Sequence, residues 1–214
     1  DEAGGILIDP VLSDGDASKQ NIPPALQETW SKFRPNAKRI SVFCYPGAPL
    51  RKWLENLGSL KEDIDVLLTH GHAEQLSLYG QQELQLPSNL QLLSIPFVSQ
   101  DEYDWVLSQC DFNIVRGEDS FVRAQLAGKP FIWHIYPQED RAHEVKLAAF
   151  LDLYLEEADQ ELRLAIIAAM TWAMPSEWFG ILNQWSIYAK GWRTQLLKKQ
   201  GDGGLAARLL RFTS

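Results

Sequence analysis

The sequence predicts an α/β protein: an open parallel sheet of about five strands, helices on both faces, and a helical carboxyl-terminal extension. Three observations carry this. Short apolar runs alternate with amphipathic segments from Arg39 to Ile135. Those runs are apolar along their length, as strands covered on both faces are. From Arg141 onward the pattern is almost wholly helical. Alternating β and α segments imply right-handed crossovers and parallel strands.

Each element has its own signal. Residues 1–20 read as a lead-in, with two glycines and Ser13-Asp14-Gly15-Asp16. A first helix follows Pro23-Pro24, because proline suits a helix's opening turn; its apolar side uses Leu26, Trp30 and Phe33. Arg39 to Tyr45 is a β-rich run closed by Pro46-Gly47. Leu50, Trp53, Leu54 and Leu57 recur at helical spacing. Ile64 to Thr69 is strand, Ala73 to Gly80 a short helix, and Leu90 to Pro96 strand. Ser99 with Glu102 three residues later is a capping box, ahead of the apolar face of Tyr103, Val106 and Leu107. Phe112 to Val115 is strand, Ser120 to Ala127 helix, and Gly128 its stop. Pro130 to Ile135 is the last strand. The tail gives helices around Leu147 to Tyr154, Leu162 to Met174 and Trp178 to Leu197, then a short one after Gly201 to Gly204. One domain over 1–214 results, with the α/β part at 21–139 and the helical extension at 140–214.

Composition excludes several classes. Of 214 residues, 45% are hydrophobic and 22% charged, enough apolar material for one sizeable core. The net charge of -8, with no basic block, argues against general nucleic-acid binding. No apolar run approaches the roughly 20 residues that span a bilayer. Cys44 and Cys110 lie in apolar stretches without a Cys-x-x-Cys pair, so buried thiols in a reducing cytoplasm are expected. The chain begins at Asp1 without a methionine or signal peptide, which leaves room for a missing upstream part.

The richest segment runs from Asn113 to Gln125. It reads as a strand end, a tight charged turn of Arg116-Gly117-Glu118-Asp119-Ser120, and a helix start. A strand-to-helix junction aims backbone N–H groups above the sheet, where anions are favoured. An arginine beside it adds a planar fork for phosphate. In open parallel sheets, ligands sit beyond the carboxyl ends of the strands. Phe43 and Tyr45, Phe97 and Gln100, Arg116 to Ser120, and Tyr136 with Gln138 all collect there. Rings, amides, a cation and a helix N-terminus together suit a nucleoside diphosphate. Each has a bland counterpart. Phe43 alternates with Val42 as core would. Asp119 or Ser120 caps the helix. Arg116 pairs with Glu118 or Asp119. Glu118 repels a diphosphate, so it either points away or serves a proton or a cationic partner. His70-Gly71-His72 lacks a third metal ligand. No Gly-x-Gly-x-x-Gly, Walker A loop or Gly-x-Ser-x-Gly elbow occurs.

Three segments in this order and spacing carry a family resemblance: Pro96 to Asp104; Asn113 to Gln125; and Trp133-His134-Ile135-Tyr136-Pro137-Gln138-Glu139. With the Ser41 to Tyr45 strand, they resemble the bacterial protein-arginine rhamnosyltransferases that modify translation elongation factor P. The likeness is close over residues 39–150 and looser over the helical tail. It implies one lobe of a GT-B glycosyltransferase with two Rossmann-like domains, here the carboxyl-terminal, donor-holding lobe. It implies inverting transfer of rhamnose from dTDP-β-L-rhamnose to an arginine of elongation factor P, with no metal or cofactor. The general-base aspartate of the family belongs to the amino-terminal lobe, and no residue of this chain matches its motif. Carried over, Tyr45, Gln100, Arg116, Gly117, Glu118, Asp119, Ser120 and Tyr136 are donor contacts. Glu118 is also a catalytic acid, and Phe43, Phe97 and Tyr103 are base-side walls. Another GT-B-like sugar-nucleotide enzyme (an epimerase or heptosyltransferase) and a non-catalytic module docking to a translation factor are the alternatives.

Overall fold

The computed structural model describes residues 21–69, 86–173 and 178–201. The lead-in, His70 and His72, the helix expected at 73–80 and the short helix expected after Gly204 lie outside the described residues.

Five strands form one sheet: β1 (Lys38–Val42), β2 (Ile64–Leu68), β3 (Leu90–Ser94), β4 (Phe112–Arg116) and β5 (Phe131–His134). All neighbours are parallel, in the order β3-β2-β1-β4-β5. The chain leaves β1 towards β2 and returns on the other side of β1 as β4. The strand order therefore reverses between β1 and β4, and a crevice opens over their carboxyl ends. The strand predicted to reach Tyr45 ends at Val42. Phe43 N still donates to Ile114 O at 2.8 Å, and the chain turns away beyond it ahead of Pro46-Gly47, where Gly47 takes a positive φ of 87°.

The helices are α1 (Gln27–Trp30, behind a 3-10 turn at Pro24–Leu26), α2 (Leu50–Leu57), α3 (Gln100–Gln109), α4 (Gly117–Ala127), α5 (Ala142–Tyr154), α6 (Gln160–Met170) and α7 (Trp178–Gly201). The start of α3 is the predicted capping box: Ser99 N donates to Glu102 Oε2 at 2.8 Å, and Glu102 N donates to Ser99 Oγ at 3.3 Å. Two orphan amides are satisfied reciprocally. The predicted stop of α4 is also present, with Gly128 left-handed at φ 64°.

The sheet buries both faces unequally. On the larger side, Ile40, Val42, Val66 and Leu68 join one core with Trp53, Leu54 and Leu57 of α2 and with α6 and α7. On the smaller side, Leu67 and Ile95 pack against Leu26, Trp105, Val106 and Cys110. Polar groups are buried too. Ser41 Oγ donates to Asn113 Oδ1, and Asn113 Nδ2 donates to Leu107 O at 3.1 Å, which ties α3 to β1 and β4. Asp65 is fully buried and accepts from Arg34 N and Arg34 Nε.

The helical tail is part of the core. Phe112 of β4 meets Trp178 at 5.0 Å and Trp185 at 5.6 Å between ring centroids. Phe131 of β5 meets Tyr154 at 5.8 Å. Cys44 and Cys110 are buried thiols outside any disulfide, each pushed up to about 12 chiefly by burial, which disfavours the reactive thiolate.

Candidate functional site

At the mouth of the crevice, Arg116 ends β4 and is the N-cap residue of α4. No separate turn intervenes where the sequence predicts one. Gly117, at φ 66°, bends the chain within a single residue, and helix follows directly. The predicted charged turn is thus the first turn of α4, with its unpaired amides over the crevice.

The Arg116 guanidinium lies 4.1 Å from the ring centre of Phe43 and 5.0 Å from that of Tyr45. Its Nη1 donates to Cys44 O at 3.3 Å. Among the described residues it has no carboxylate within ion-pairing distance, so the bland alternative of a pair with Glu118 or Asp119 is not formed. The reason is geometric. The two rings after β1 draw the guanidinium across the strand boundary, away from its own helix. Cation–π contact and one carbonyl hold the fork and leave its other donors uncommitted.

Tyr45 joins β1 to β5. Its N–H donates to His134 Nδ1 at 3.0 Å, and its ring lies 5.1 Å from that of Tyr136, edge to face. A side chain at position 117 would begin 3.4 Å from the Tyr45 hydroxyl. His134 accepts at Nδ1, so it is neutral there. Burial, and then the Arg116 charge, hold its pKa below the usual histidine value. Sequence reasoning did not single out His134. Its signal was only its place at a strand's carboxyl end, and its partner is 89 residues away. Tyr136 is 61% exposed, a ring open to solvent at the site's edge.

Tyr103 of α3 completes the other side, with its ring 5.8 Å from Phe43. Its hydroxyl is buried without a hydrogen-bond partner among the described residues, and burial raises its pKa. Gln100 lies one turn earlier on α3, on the same helix face, and is exposed. Phe97 is 88% exposed and makes no ring contact with Phe43 or Tyr103. Both follow β3, the sheet edge, so α3 rather than the strands brings this region towards the crevice.

The first turn of α4 divides in two directions. Glu118 points to solvent and meets Lys146 Nζ of α5 at 3.3 Å. Asp119 accepts from Arg123 Nε at 2.9 Å. Ser120 is buried, and its Oγ bonds back to Arg116 O. The expected capping by Asp119 or Ser120 is therefore not made: one carboxylate is drawn to Arg123, and one hydroxyl serves a carbonyl. Among the described residues no group of three His, Cys, Asp or Glu could hold a metal, and no helix is long and apolar enough to cross a membrane.

Comparison with known proteins agrees with this architecture. The family model described as "Elongation-Factor P (EF-P) rhamnosyltransferase EarP" matches residues 1–214. A protein-arginine rhamnosyltransferase of Pseudomonas aeruginosa is 35% identical, over 81% of this chain and 49% of that protein. One from Pseudomonas putida is 34% identical, over 99% of this chain and 60% of that protein. The structure solved for EarP-mediated arginine glycosylation of translation elongation factor EF-P superposes with a TM-score of 0.71 at 31% identity, over 88% of this chain and 64% of that one. The chain thus spans about half the length of the curated relatives it matches. With the family model matched over residues 1–214, the chain belongs to the elongation factor P rhamnosyltransferase (EarP) family.

Proposed function

We propose that this chain is the donor-binding lobe of an inverting GT-B glycosyltransferase that moves L-rhamnose from dTDP-β-L-rhamnose to an arginine of elongation factor P. The observation that carries the reading is Arg116. A guanidinium held over two rings, without a carboxylate partner among the described residues, lies beside the first-turn amides of α4. That pairing of a fork with a helix N-terminus suits a diphosphate. It also suits a leaving group that gains negative charge as the glycosidic bond breaks.

In this reading Arg116, Gly117 and the helix N-terminus seat the donor's phosphates, and Asp119 and Ser120 contact the donor beside them. Tyr45, Tyr136 and Gln100 contact it from the strand and helix ends, and Phe43, Phe97 and Tyr103 wall the base. No metal or cofactor is required, because Arg116 and the helix N-terminus supply the positive field. Glu118 projects from the same turn into solvent, where an approaching guanidinium acceptor would meet it. A protonated guanidinium is a poor nucleophile, with a pKa above about 12; a carboxylate at its side orients it and offsets charge as the bond forms.

Calorimetric titration of the folded chain with dTDP, UDP and ADP tests the reading. Binding of dTDP ahead of the other two is expected. Arg116→Ala should weaken dTDP binding by about 1.5–3 kcal/mol, the range for a charge-assisted hydrogen bond. Absence of heat at millimolar dTDP, or an unchanged affinity in the variant, would sink it.

A further inference from the structure

We propose that Asp104 is a positioning residue for the donor site, acting through Arg123 to hold the first turn of α4; this rests on the donor-site reading above. Asp104 lies on α3, next to Tyr103. Its Oδ2 accepts from Arg123 Nη1 at 2.6 Å, and Arg123 Nε donates to Asp119 Oδ2 at 2.9 Å. One guanidinium thus bridges a carboxylate 9% exposed on α3 and one 63% exposed at the site. Alone, the Asp119–Arg123 pair is an ordinary helical i,i+4 contact near the surface and contributes little. The inner arm changes that. With Nη1 fixed by Asp104, Arg123 cannot follow Asp119 out into solvent, so Asp119 and the turn that carries it have one seat.

The inner arm is a poor device for stability alone. Asp104 Oδ1 is buried and has no hydrogen-bond partner among the described residues, and neither has the adjacent Tyr103 hydroxyl. A buried carboxylate with one oxygen unsatisfied costs free energy, and buried ion pairs stabilise folds little. The charged groups facing Asp104 are Arg123 and Asp119 on α4 and Asp101 on its own helix. Burial, opposed by Arg123 and aided by the two aspartates, pushes its carboxyl up to about 6. A folded pKa above the ordinary carboxylate value means that folding favours the neutral form. Asp104 therefore makes the fold less stable as pH rises from about 4 to about 6. Its charge is retained above that range at a cost in stability, which a role at a site explains. Below about 6 the inner arm loses its charge, and Arg123 keeps only Asp119.

The test combines dTDP titration of the full chain across pH with amide hydrogen exchange. As pH drops through about 6, wild-type affinity should fall several-fold more than that of the Asp104 variants, since the ligand's own phosphate protonates near 6 in all of them. Asp104→Ala should weaken binding about five- to tenfold at neutral pH, flatten the pH dependence, and speed exchange of the Gly117–Phe121 amides more than those of α2. Asp104→Glu should recover part of the affinity. If Asp104→Ala does not fold, Asp104→Asn replaces it, with the same flattened pH profile expected. A variant that only melts earlier, with wild-type affinity, pH profile and exchange pattern, overturns the proposal and leaves a structural ion pair. Wild-type chain that binds no dTDP overturns it through the donor-site reading. In that case, faster exchange confined to the Gly117–Phe121 turn would show that the mechanical link exists without the ligand assigned to it.

Discussion

A carboxylate beside an anion seat needs a cation to face, and Glu118 has one in Lys146. That contact is exposed on both sides and worth little, so an incoming guanidinium can replace the ammonium at small cost. Glu118→Gln in the complete two-lobed enzyme should lower turnover by about a hundredfold or more, while the KM for donor changes little. Equal losses in both would assign Glu118 to donor binding instead. The same residues show what a sequence carries at this scale. Arg116 was legible as a cation at a strand end, because strand, glycine and helix are neighbours in the chain. Its stacking on Phe43 and Tyr45 was not, since those partners are about seventy positions away and no spacing rule reaches them. The alternative partners, the carboxylates beside it, were chain-local too, but the rings take the guanidinium instead.

At the scale of the element, the best-read features were those whose two halves lie within one turn. Ser99 and Glu102 had to be a capping box because both partners are local, and α3 opens on it. Since α3 delivers Tyr103, Asp104 and Gln100 to the site, its start has functional weight. Ser99→Ala removes the hydroxyl acceptor of Glu102 N and should cost about 1 kcal/mol in urea unfolding with an unchanged m-value. A smaller loss than a few tenths would mean that water replaces the cap. Gly128 was read equally well as the end of α4, but its second task was invisible. A side chain there would begin 2.9 Å from Arg193 Cδ, and Arg193 Nε donates to Leu126 O at 2.7 Å. The glycine both ends α4 and admits a cation from α7 to its carboxyl terminus, where the helix dipole favours one.

For the whole molecule, the parallel sheet and its helices were legible because alternation and apolar runs are chain-local patterns. Those patterns mark where the helical extension begins but not how it packs on the α/β part. In three dimensions the tail covers one face of the sheet, and its tryptophans meet β4 directly. Packing of this kind has no sequence period, because the contacts join elements dozens of residues apart. Phe112 is the keystone, fully buried between Trp53, Trp178 and Trp185. Phe112→Ala should cost about 3–5 kcal/mol. If the tail were an independent unit, denaturation followed in the near and far ultraviolet would separate into two transitions; a single coincident one is expected.

Trp133 gives this architecture an optical consequence. Its indole N–H donates to Gly117 O at 2.9 Å, and its ring stacks on Phe121 of the same helix at 3.9 Å. The chromophore is thus wired to the residue where strand becomes helix and where a diphosphate would settle. Any rearrangement of that junction alters the dipole and the hydrogen bond at the indole together. Read against the other seven tryptophans of the chain, Trp133 emission would then report filling of the crevice with no label attached.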